Sequence, residues 1–370
     1  MTHKRSPRSD TVPALDPRAV GRTATAAEWV TATCEGRVHT VVPPALVNRP
    51  RFDHTKLARS ASVRKVQRFV APAAQVVELP GALVWGPDGT VLTADGCVVE
   101  DLIRAWGQAA EEHPVWTAPS RSPHEVRGTA AVIAARGAAT NFSHFLADSL
   151  PRIQLVRDTG IEIDTWIVSS RDHRWQREGL DLAGISTDQT VALTDFPWIS
   201  ARTLIVPSRT GFAPTTAPWA RDRLINLLAP ESRPRERRIL IARQQAARRR
   251  LRNEDEILNR LLPLGFERVD FDTMPLTEQI RTIHESRTIV AVHGAALGHL
   301  LHAPQNGCVV EIANPSLIHP DYWGLAALAS WKHVVVSAEP TPPLRPNEDE
   351  INNDLAVDAE AVYQASSNPT

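Results

Sequence analysis

The sequence predicts an α/β protein of two domains in which the ends of several strands meet at one cleft. Short apolar stretches typical of strands alternate with stretches of helical spacing, and this order favours parallel sheets covered by helices. Two segments about 150 residues apart, 141–152 and 292–297, each place a histidine where a strand gives way to a helix. A chain of 370 residues is long enough for two domains.

The first predicted α/β domain comprises residues 61–215. Turn residues Gly86-Pro-Asp-Gly89 separate the apolar stretches 83–85 and 91–93, a pattern typical of a β-hairpin. Apolar spacing predicts a helix over 142–158, and Pro151 should kink it. The remaining predicted elements are strands at 130–134, 165–168 and 203–207 and a helix at 175–183.

The second series lies within residues 216–340, after a linker predicted near 214–234, and reads as a complete Rossmann-like domain. Its strands are predicted at 238–242, 266–271, 288–292, 308–312 and 333–336, and its helices at 254–262, 276–285, 295–301 and 322–331. Residues 1–60 have little periodicity and are predicted to form a partly disordered arm. Residues 341–370 are predicted to be a tail with one short helix.

Composition excludes several classes of protein. No apolar run is long enough to span a membrane, and the amino terminus lacks the apolar core of a signal peptide, so we expect a cytoplasmic protein. The three cysteines are far apart without a C-x-x-C pair, which argues against a disulfide framework and a thiolate zinc site. A net charge of -1 gives no general attraction to nucleic acid.

One segment is strongly basic although the whole chain is nearly neutral, because nine arginines and one glutamate lie in the stretch from Arg233 to Arg252. Such a stretch indicates either an anion site or a solvated face. Guanidinium groups can stabilise a leaving diphosphate and replace a metal. Nucleic-acid binding is a more remote alternative, since aromatic side chains for stacking are missing nearby. The residues concerned are Arg243, which ends a strand, and the loop residues Arg248, Arg249, Arg250 and Arg252; Asn253 and Glu256 are predicted to cap the next helix.

Two strand ends of the second series offer further contacts to a nucleotide. His293-Gly294-Ala295 opens a predicted helix, whose first backbone N–H groups can bind a phosphate; Gly294 is equally typical of a simple turn. Glu311 ends an apolar strand, where a carboxylate can accept the hydroxyls of a ribose or can form a salt bridge.

His144 and Asp148 are four residues apart on the predicted helix of the first series and thus share one face. Sugar transfer to a hydroxyl requires a base, and either side chain could serve. The pair could equally be a core histidine held by a surface carboxylate.

Two patterns resemble metal sites. Asp270-Phe-Asp272 spells the D-x-D by which metal-dependent transferases hold a divalent ion, and His293, His299 and His302 suggest zinc. We expect neither to bind metal, because two strand-end carboxylates need no ion and because Cys308 should begin a buried strand away from the histidines.

The order of these motifs resembles glycosyltransferase family 61, which includes bacterial capsular and exopolysaccharide transferases and eukaryotic xylosyl- and N-acetylglucosaminyltransferases. The resemblance covers roughly residues 83–365. It rests on Asn141-Phe-Ser-His144 with Asp148 and Leu150-Pro-Arg152, on Arg243 with 248–250 and Asn253-Glu254, and on 293–297 with Val310-Glu311.

The resemblance implies a GT-B fold, two Rossmann-like domains facing a central cleft, and inversion at the anomeric carbon without a metal or other cofactor. A nucleotide-sugar donor, most often a UDP-sugar in such enzymes, would contact the second domain, and a glycan or polysaccharide acceptor would lie at the first. Peripheral association with a polysaccharide pathway at the inner membrane face is also implied. A catalytically silent protein that binds sugar nucleotides is the alternative.

The residue roles that the resemblance carries over are of three kinds. His144 and Asp148 form the acceptor-side pair. Arg243, 248–250, His293, Gly294 and Ala295 contact the donor phosphates, and Glu311 the ribose. Asn141 and Arg152 belong to the same motifs, while His299, found where family members commonly have Thr-Asn after the Gly-Ala-x-Leu segment, is expected to influence donor preference.

Overall fold

The computed structural model describes residues 23–50, 66–100, 112–119, 121–211, 213–317, 319–343 and 347–367. Their strands are β1 (Thr23–Ala24), β2 (Arg37–Val42), β3 (Ala45–Asn48), β4 (Arg68–Ala71), β5 (Ala74–Pro80), β6 (Leu83–Trp85), β7 (Thr90–Leu92), β8 (Val98–Val99), β9 (His124–Val132), β10 (Thr165–Val168), β11 (Thr190–Ala192), β12 (Trp198–Pro207), β13 (Arg237–Ile241), β14 (Phe266–Val269), β15 (Ser286–Val292), β16 (Cys308–Ala313), β17 (Lys332–Ser337), β18 (Glu339–Pro340) and β19 (Leu355–Ala356). Their longer helices are Ala26–Thr33, Leu150–Arg157, Arg174–Leu182, Pro218–Leu228, Glu254–Leu261, Leu276–Glu285, Asp321–Leu328 and Ala359–Ser367.

The first sheet is mixed, whereas the alternation of elements favoured a parallel one. Strand β12 pairs in parallel with β9, which is followed by the parallel β10 and β11. On its other side β12 runs antiparallel to β5 and β6, and β7 and β8 continue beyond β6. Strands β5 and β6 follow one another along β12, and tight turns join β6 to β7 and β7 to β8, where such short connections permit antiparallel pairing only. The predicted hairpin at 83–93 is part of this antiparallel half.

The second sheet is parallel throughout, in the order β14-β13-β15-β16-β17. All five strands were predicted, and so were the helices that connect them. Residues 295–301 form a 3-10 helix instead of an α-helix. Because the strands run in one direction, the residues that follow β13, β15 and β16 meet at the same edge.

One continuous core lies between the two sheets. Ala131 and Ile205 of the first sheet belong to the same buried cluster as Ile239 and Ile289 of the second. The helices Leu150–Arg157 and Pro218–Leu228 pack against each other inside this region. Residues 214–234, predicted to be a linker, therefore supply a helix to the core, because its apolar face requires a buried partner.

The segment that carries the first histidine contains a π turn instead of a regular helix. An α-helical turn Phe142–His144 passes into a π turn Phe145–Ser149 and then into the helix Leu150–Arg157. Leu150 donates its N–H to the carbonyl of Phe145, one residue further back than in an α-helix. The wider turn accommodates Pro151, which has no N–H to donate and stands at the start of the last helix. The predicted kink is thus a change of helix type.

Both ends of the chain contribute more than was predicted. Within the described part of the expected arm 1–60, strand β2 pairs with β5 and extends the first sheet, and Trp29 is buried. The rest of that arm lies outside the described residues. In the expected tail, the helix Ala359–Ser367 packs on Glu254–Leu261 and buries Val362. No helix among the described residues is long and apolar enough to cross a membrane.

Candidate functional site

The two histidine segments meet in the folded chain. A methyl group added at Gly298 would lie 2.8 Å from the Ser143 Oγ, so the backbones approach closely. The rings of Phe142 and His299 are 4.9 Å apart, and Tyr322 shares a side-chain hydrogen bond with Ser143. The predicted convergence of the two segments at one place is therefore present.

His144 and Asp148 form a hydrogen-bonded pair beside this contact. The His144 Nδ1 lies 2.8 Å from the Asp148 Oδ2, and the Thr210 hydroxyl donates to the Asp148 Oδ1 at 2.9 Å. The hydrogen bond to Asp148 raises the pKa of His144, which burial opposes. A carboxylate that accepts from Nδ1–H leaves Nε2 of the neutral ring as a proton acceptor. His144 is 46% exposed, so Nε2 has access to a ligand.

A cavity of about 320 Å³ lies between the two sheets. Its walls come from the first domain at Phe142 and Trp175 and from the carboxyl ends of β13 and β15 in the second. The other lining residues are His173, Arg174, Ile241, Ala242, Arg243, Phe271, Asp272, Gln279, Ala291, Val292, Ala295 and Ala296. Its volume is within the range of small-molecule sites.

Of the arginine group, Arg243 and Arg249 are drawn together at this edge. Arg243 lines the cavity, and burial lowers the pKa of both guanidinium groups, which also repel each other. The Nε of each is buried without a hydrogen-bond partner among the described residues. Two cations with unused donors form a suitable environment for an anion.

The other loop arginines do not converge in the same way. Arg248 is exposed, and Arg250 donates its Nε to the carbonyl of Ala246 at 2.8 Å. Arg252 forms an ion pair with Asp354. Asp354 also stabilises the loop conformation, because its Oδ1 accepts a hydrogen bond from the backbone N–H of Arg250 at 3.0 Å.

His293 and Gly294 lie at the same edge as Arg243. The Arg243 Nη1 would be 2.9 Å from a methyl group added at Gly294, so the absence of a side chain there admits the guanidinium. The His293 Nδ1 forms a hydrogen bond with the Glu311 Oε1, and the His333 Nε2 lies 2.6 Å from the Glu311 Oε2. Burial raises the pKa of Glu311, but both histidines lower it more, to about 2.

A family model described as Glycosyltransferase 61 matches residues 142–310, which contain the His144–Asp148 pair, Arg243, Arg249 and His293. This part of the chain is therefore similar to the glycosyltransferase 61 family. The EGF domain-specific O-linked N-acetylglucosamine transferase of Drosophila melanogaster is 30% identical over 95 residues, 25% of this chain and 18% of that protein. A solved structure, the bacterial iron-containing dodecameric glycosyltransferase TibC from enterotoxigenic E. coli, is 12% identical over 66% of this chain and 76% of that one; its TM-score of 0.29 is too low to support an argument.

Within the matched region 142–310, two predicted site residues do not line the cavity between the sheets. Arg152 is buried and donates to the carbonyls of Ala134 and Pro207, which tie together the ends of β9 and β12. His299 is 0% exposed, with Nε2 2.9 Å from the Gln279 Oε1 and Nδ1 2.8 Å from His302. His299 uses both ring nitrogens inside the protein, so the expected influence on the donor does not fit this geometry. Arg152 uses both terminal nitrogens in the same way, and only its Nε is without a partner among the described residues.

Glu311 and Asn141, which flank the matched region 142–310, also differ from expectation. Both carboxylate oxygens of Glu311 are taken by histidines, and its side chain is 1% exposed, so no oxygen faces a ribose. Asn141 caps the first helical turn by accepting from the N–H of Ser143 at 2.9 Å. Asn253 lacks the predicted capping bond, because its amide bridges Glu256 and the backbone of Val357.

The residues of the two possible metal sites make other contacts. Asp272 lines the cavity and interacts with the charge of Arg243, while Asp270 accepts from the N–H of Asp272 at 3.0 Å. His299 and His302 are bonded to each other. Across the described ranges, no group of three or more His, Cys, Asp or Glu residues could hold a metal ion.

Three residues near the site were not predicted from the sequence. Trp175 lines the cavity and its ring stacks 4.9 Å from that of His173. Burial raises the pKa of Asp321, which lies close enough to His293 and His144 to interact with their charges. The ring of Tyr322 lies 4.9 Å from that of His293. An acidic residue at the start of a helix is so common that Asp321 carries no sequence signal.

Proposed function

We propose that this protein is an inverting glycosyltransferase that moves a sugar from a nucleoside diphosphate donor to a hydroxyl of a glycan. The observation that carries the proposal is the pairing of two groups around one cleft. His144, held by Asp148, offers a basic nitrogen on one side, and Arg243 and Arg249 offer cationic donors on the other. The proposed arrangement of the two sheets is that of a GT-B enzyme.

His144 is the proposed base, and Asp148 the group that orients it. The acceptor hydroxyl would give its proton to the His144 Nε2, and the ring would then carry a positive charge next to the Asp148 carboxylate. The hydrogen bonds from His144 and Thr210 leave Asp148 with both oxygens engaged, which argues against a direct role as base.

The donor would place its diphosphate at Arg243 and Arg249. The unpaired Nε atoms of both guanidinium groups support this placement, as does the close approach of Arg243 to Gly294. His293, whose Nδ1 is held by Glu311, would present Nε2 to the same phosphates; Glu311 stabilises a positive charge on that ring. Trp175 offers a half-buried aromatic surface for the nucleoside or sugar.

Transfer would then proceed in one displacement. The acceptor oxygen forms a bond to the anomeric carbon as the bond from that carbon to the diphosphate oxygen breaks, so the configuration inverts. The electron pair leaves with the diphosphate, and the proton stays on His144. The arginines would stabilise the departing charge without a metal ion. Resident cofactors are not required in this scheme.

The name of the Drosophila relative suggests N-acetylglucosamine as the transferred sugar, and we propose UDP as its carrier. Because the match covers 18% of that protein, donor and acceptor remain proposals for this chain. A glycan or polysaccharide acceptor, a cytoplasmic location and peripheral association at the inner membrane face belong to the same proposal.

The test is thermal unfolding of the full chain with millimolar UDP, GDP, dTDP, CDP or ADP, each with and without EDTA. A nucleotide at about 100 times its dissociation constant adds about 2.7 kcal/mol, enough to raise the Tm by a few degrees. We expect stabilisation by UDP that EDTA does not change and that Arg243→Gln removes, while Arg127→Gln, an exposed arginine on β9, leaves it intact.

Binding must be followed by turnover for the proposal to stand. Slow hydrolysis of UDP-N-acetylglucosamine should be lost in His144→Ala, which retains UDP binding. Nucleotide binding without hydrolysis or transfer to any acceptor would favour the silent sugar-nucleotide-binding protein. A Tm shift that requires a divalent ion would contradict metal independence and direct attention to Asp270 and Asp272.

A further inference from the structure

A small pocket lies on the first domain, directly beside the His144–Asp148 pair. Its volume is about 20 Å³, room for one water-sized group. Three guanidinium groups and two carboxylates line it, together with the Thr210 hydroxyl: Arg136, Arg152, Arg209, Asp88 and Asp148. The pocket is separate from the cavity of the donor site, because the two share no lining residue.

The two carboxylates are engaged by other partners. Asp148 accepts from His144 and Thr210, and Asp88 accepts from the N–H of Gly137 at 3.3 Å. Arg136 is exposed and forms no hydrogen bond or ion pair with any residue that the structure describes. A positive charge at the rim therefore has no fixed counter-charge.

The floor of the pocket is also electropositive. Arg152 is 3% exposed, and its Nε is buried without a hydrogen-bond partner in the described part of the chain. Burial, together with the charge of Arg209, lowers the pKa of Arg152 to about 9. Two like charges held near each other in a partly buried place favour a bound anion.

We infer that this pocket receives one oxygen of a carboxylate or phosphate group carried by the acceptor, whose remaining atoms lie at the rim beside the exposed Arg136, close to the hydroxyl that receives the sugar. The inference rests on the proposed function, because His144 defines where that hydroxyl must lie. The acceptor class is therefore an acidic glycan, with either a uronic acid or a phosphorylated sugar at the accepting end.

Binding of the anion would also affect the base. The positive charge of Arg136 lowers the pKa of His144, in opposition to Asp148. An anion next to Arg136 offsets that charge and makes the His144 Nε2 a better proton acceptor. An acidic acceptor would thus be held in place and would improve the base that deprotonates it.

The experiment measures binding of three probes to the full chain by calorimetry: methyl β-glucuronide, glucose 6-phosphate and methyl β-glucoside. We expect at least one charged probe to bind about tenfold more tightly than the neutral one, since a hydrogen bond to a charged group typically contributes that much. The stronger of the two charged probes identifies carboxylate or phosphate as the source. The preference should decline in high salt.

Substitutions of the pocket arginines test whether the preference for charged probes arises in this pocket. Arg136→Gln should remove most of the preference, and so should Arg209→Gln, while Arg127→Gln retains it. Arg136 is exposed and unpaired, so its variant should fold, which circular dichroism verifies. Equal affinity for all three probes, no binding of either charged probe at millimolar concentration, or a preference that survives both pocket variants would overturn the inference.

The experiments distinguish a wrong acidic-acceptor inference from a wrong transferase proposal. Nucleotide-dependent stabilisation and donor hydrolysis depend on the cavity at Arg243 and do not require an acceptor. If they are present while the charged probes show no advantage, only the acidic-acceptor inference falls. If they are absent and the charged probes still bind through Arg136, the proposed transferase function falls and the anion pocket remains.

Discussion

The orientation of the His144 ring determines which of its two nitrogens can accept a proton from a ligand. The sequence places His144 and Asp148 on the same helical face, but it does not say which nitrogen meets which oxygen. In the structure Nδ1 meets the Asp148 Oδ2, so Nε2 is the ring nitrogen that this contact leaves available. The interpretation of the pair as a buried histidine held by a surface carboxylate does not fit, since His144 is the more exposed of the two, 46% against 22%.

This geometry makes the pH dependence of transfer testable. A base must be neutral, so kcat/KM should fall as pH drops through the pKa of His144, which Asp148 raises above its ordinary value. In Asp148→Asn the inflection should move to lower pH, because the raising carboxylate is gone. The maximal rate should also fall, by about 10²-fold or more. The measurement is kcat/KM from pH 5 to 9 for both proteins.

The control for that profile is Thr210→Val, which removes one hydrogen bond to Asp148 and keeps its charge. Its inflection should remain close to that of the wild-type protein. If Asp148→Asn also keeps the wild-type inflection, His144 is not the titrating base.

Glu311 illustrates a residue whose position was predicted and whose role was not. Its burial between His293 and His333 makes it a positioning group, and breaking such a buried pair costs about 3 kcal/mol. Glu311→Gln should therefore lower the free energy of unfolding by about this amount near neutral pH. Denaturant titrations should show no comparable loss for Glu339→Gln, an exposed glutamate on β18.

The sign of the pH effect follows from the depressed pKa. The stabilisation from ionised Glu311 is complete above its ordinary pKa of 4.5 and is lost as pH falls towards about 2. The difference between the wild-type protein and Glu311→Gln should be constant from pH 5 to 7 and should narrow below about pH 4.5. A difference that narrows already above pH 5 would argue against this account.

The strand ends of the second sheet position Arg243, His293 and Glu311. The five strands and their order could be predicted because each is a short, nearly continuous apolar run between helical patterns, the signature of a buried parallel sheet. The π turn at 145–149 could not be predicted, since it differs from an α-helix only by one residue per turn. Pro151 indicated a disturbance without indicating its kind.

Gly294 offers a prediction for the edge between β15 and the following 3-10 helix. Its φ of 176° is extended, so alanine is allowed by the backbone, but the new methyl group would stand 2.9 Å from the Arg243 Nη1. Gly294→Ala should fold with a similar Tm and should bind UDP about tenfold more weakly, because the guanidinium must move. Calorimetry with UDP measures the loss.

Gly307→Ala is the matched variant at the opposite edge of the same sheet. There the methyl group would clash with the Trp331 ring, at the edge of the sheet opposite to Arg243 and Arg249. We expect a lower Tm and an unchanged UDP affinity. Equal UDP affinity of Gly294→Ala and the wild-type protein would show that Arg243 does not contact the nucleotide.

The whole molecule differs from the expected pair of domains in the way they are joined. The helix Pro218–Leu228 was predicted as linker because of its proline-rich flanks, yet Arg221 in it is buried and donates to the carbonyls of Leu301 and Ala303, both at 2.7 Å. Long-range contacts of this kind leave no local pattern in a sequence. The same reason explains why the pairing of β2 with β5 was missed, since β2 joins the sheet across the intervening hairpin.

A shared core predicts that the two sheets unfold together. Apolar side chains of both belong to one buried cluster, and the helix Arg174–Leu182 is hydrogen-bonded to the start of Leu276–Glu285, where Glu178 accepts from the N–H of Leu276 at 2.8 Å. Calorimetry should therefore show one transition, and UDP should raise it as a whole. Arg221→Met, which leaves two buried carbonyls unpaired, should lower the Tm without dividing the peak. Two separate peaks in the wild-type protein, with only one raised by UDP, would mean that the sheets are independent units and that the cleft between them is free to open.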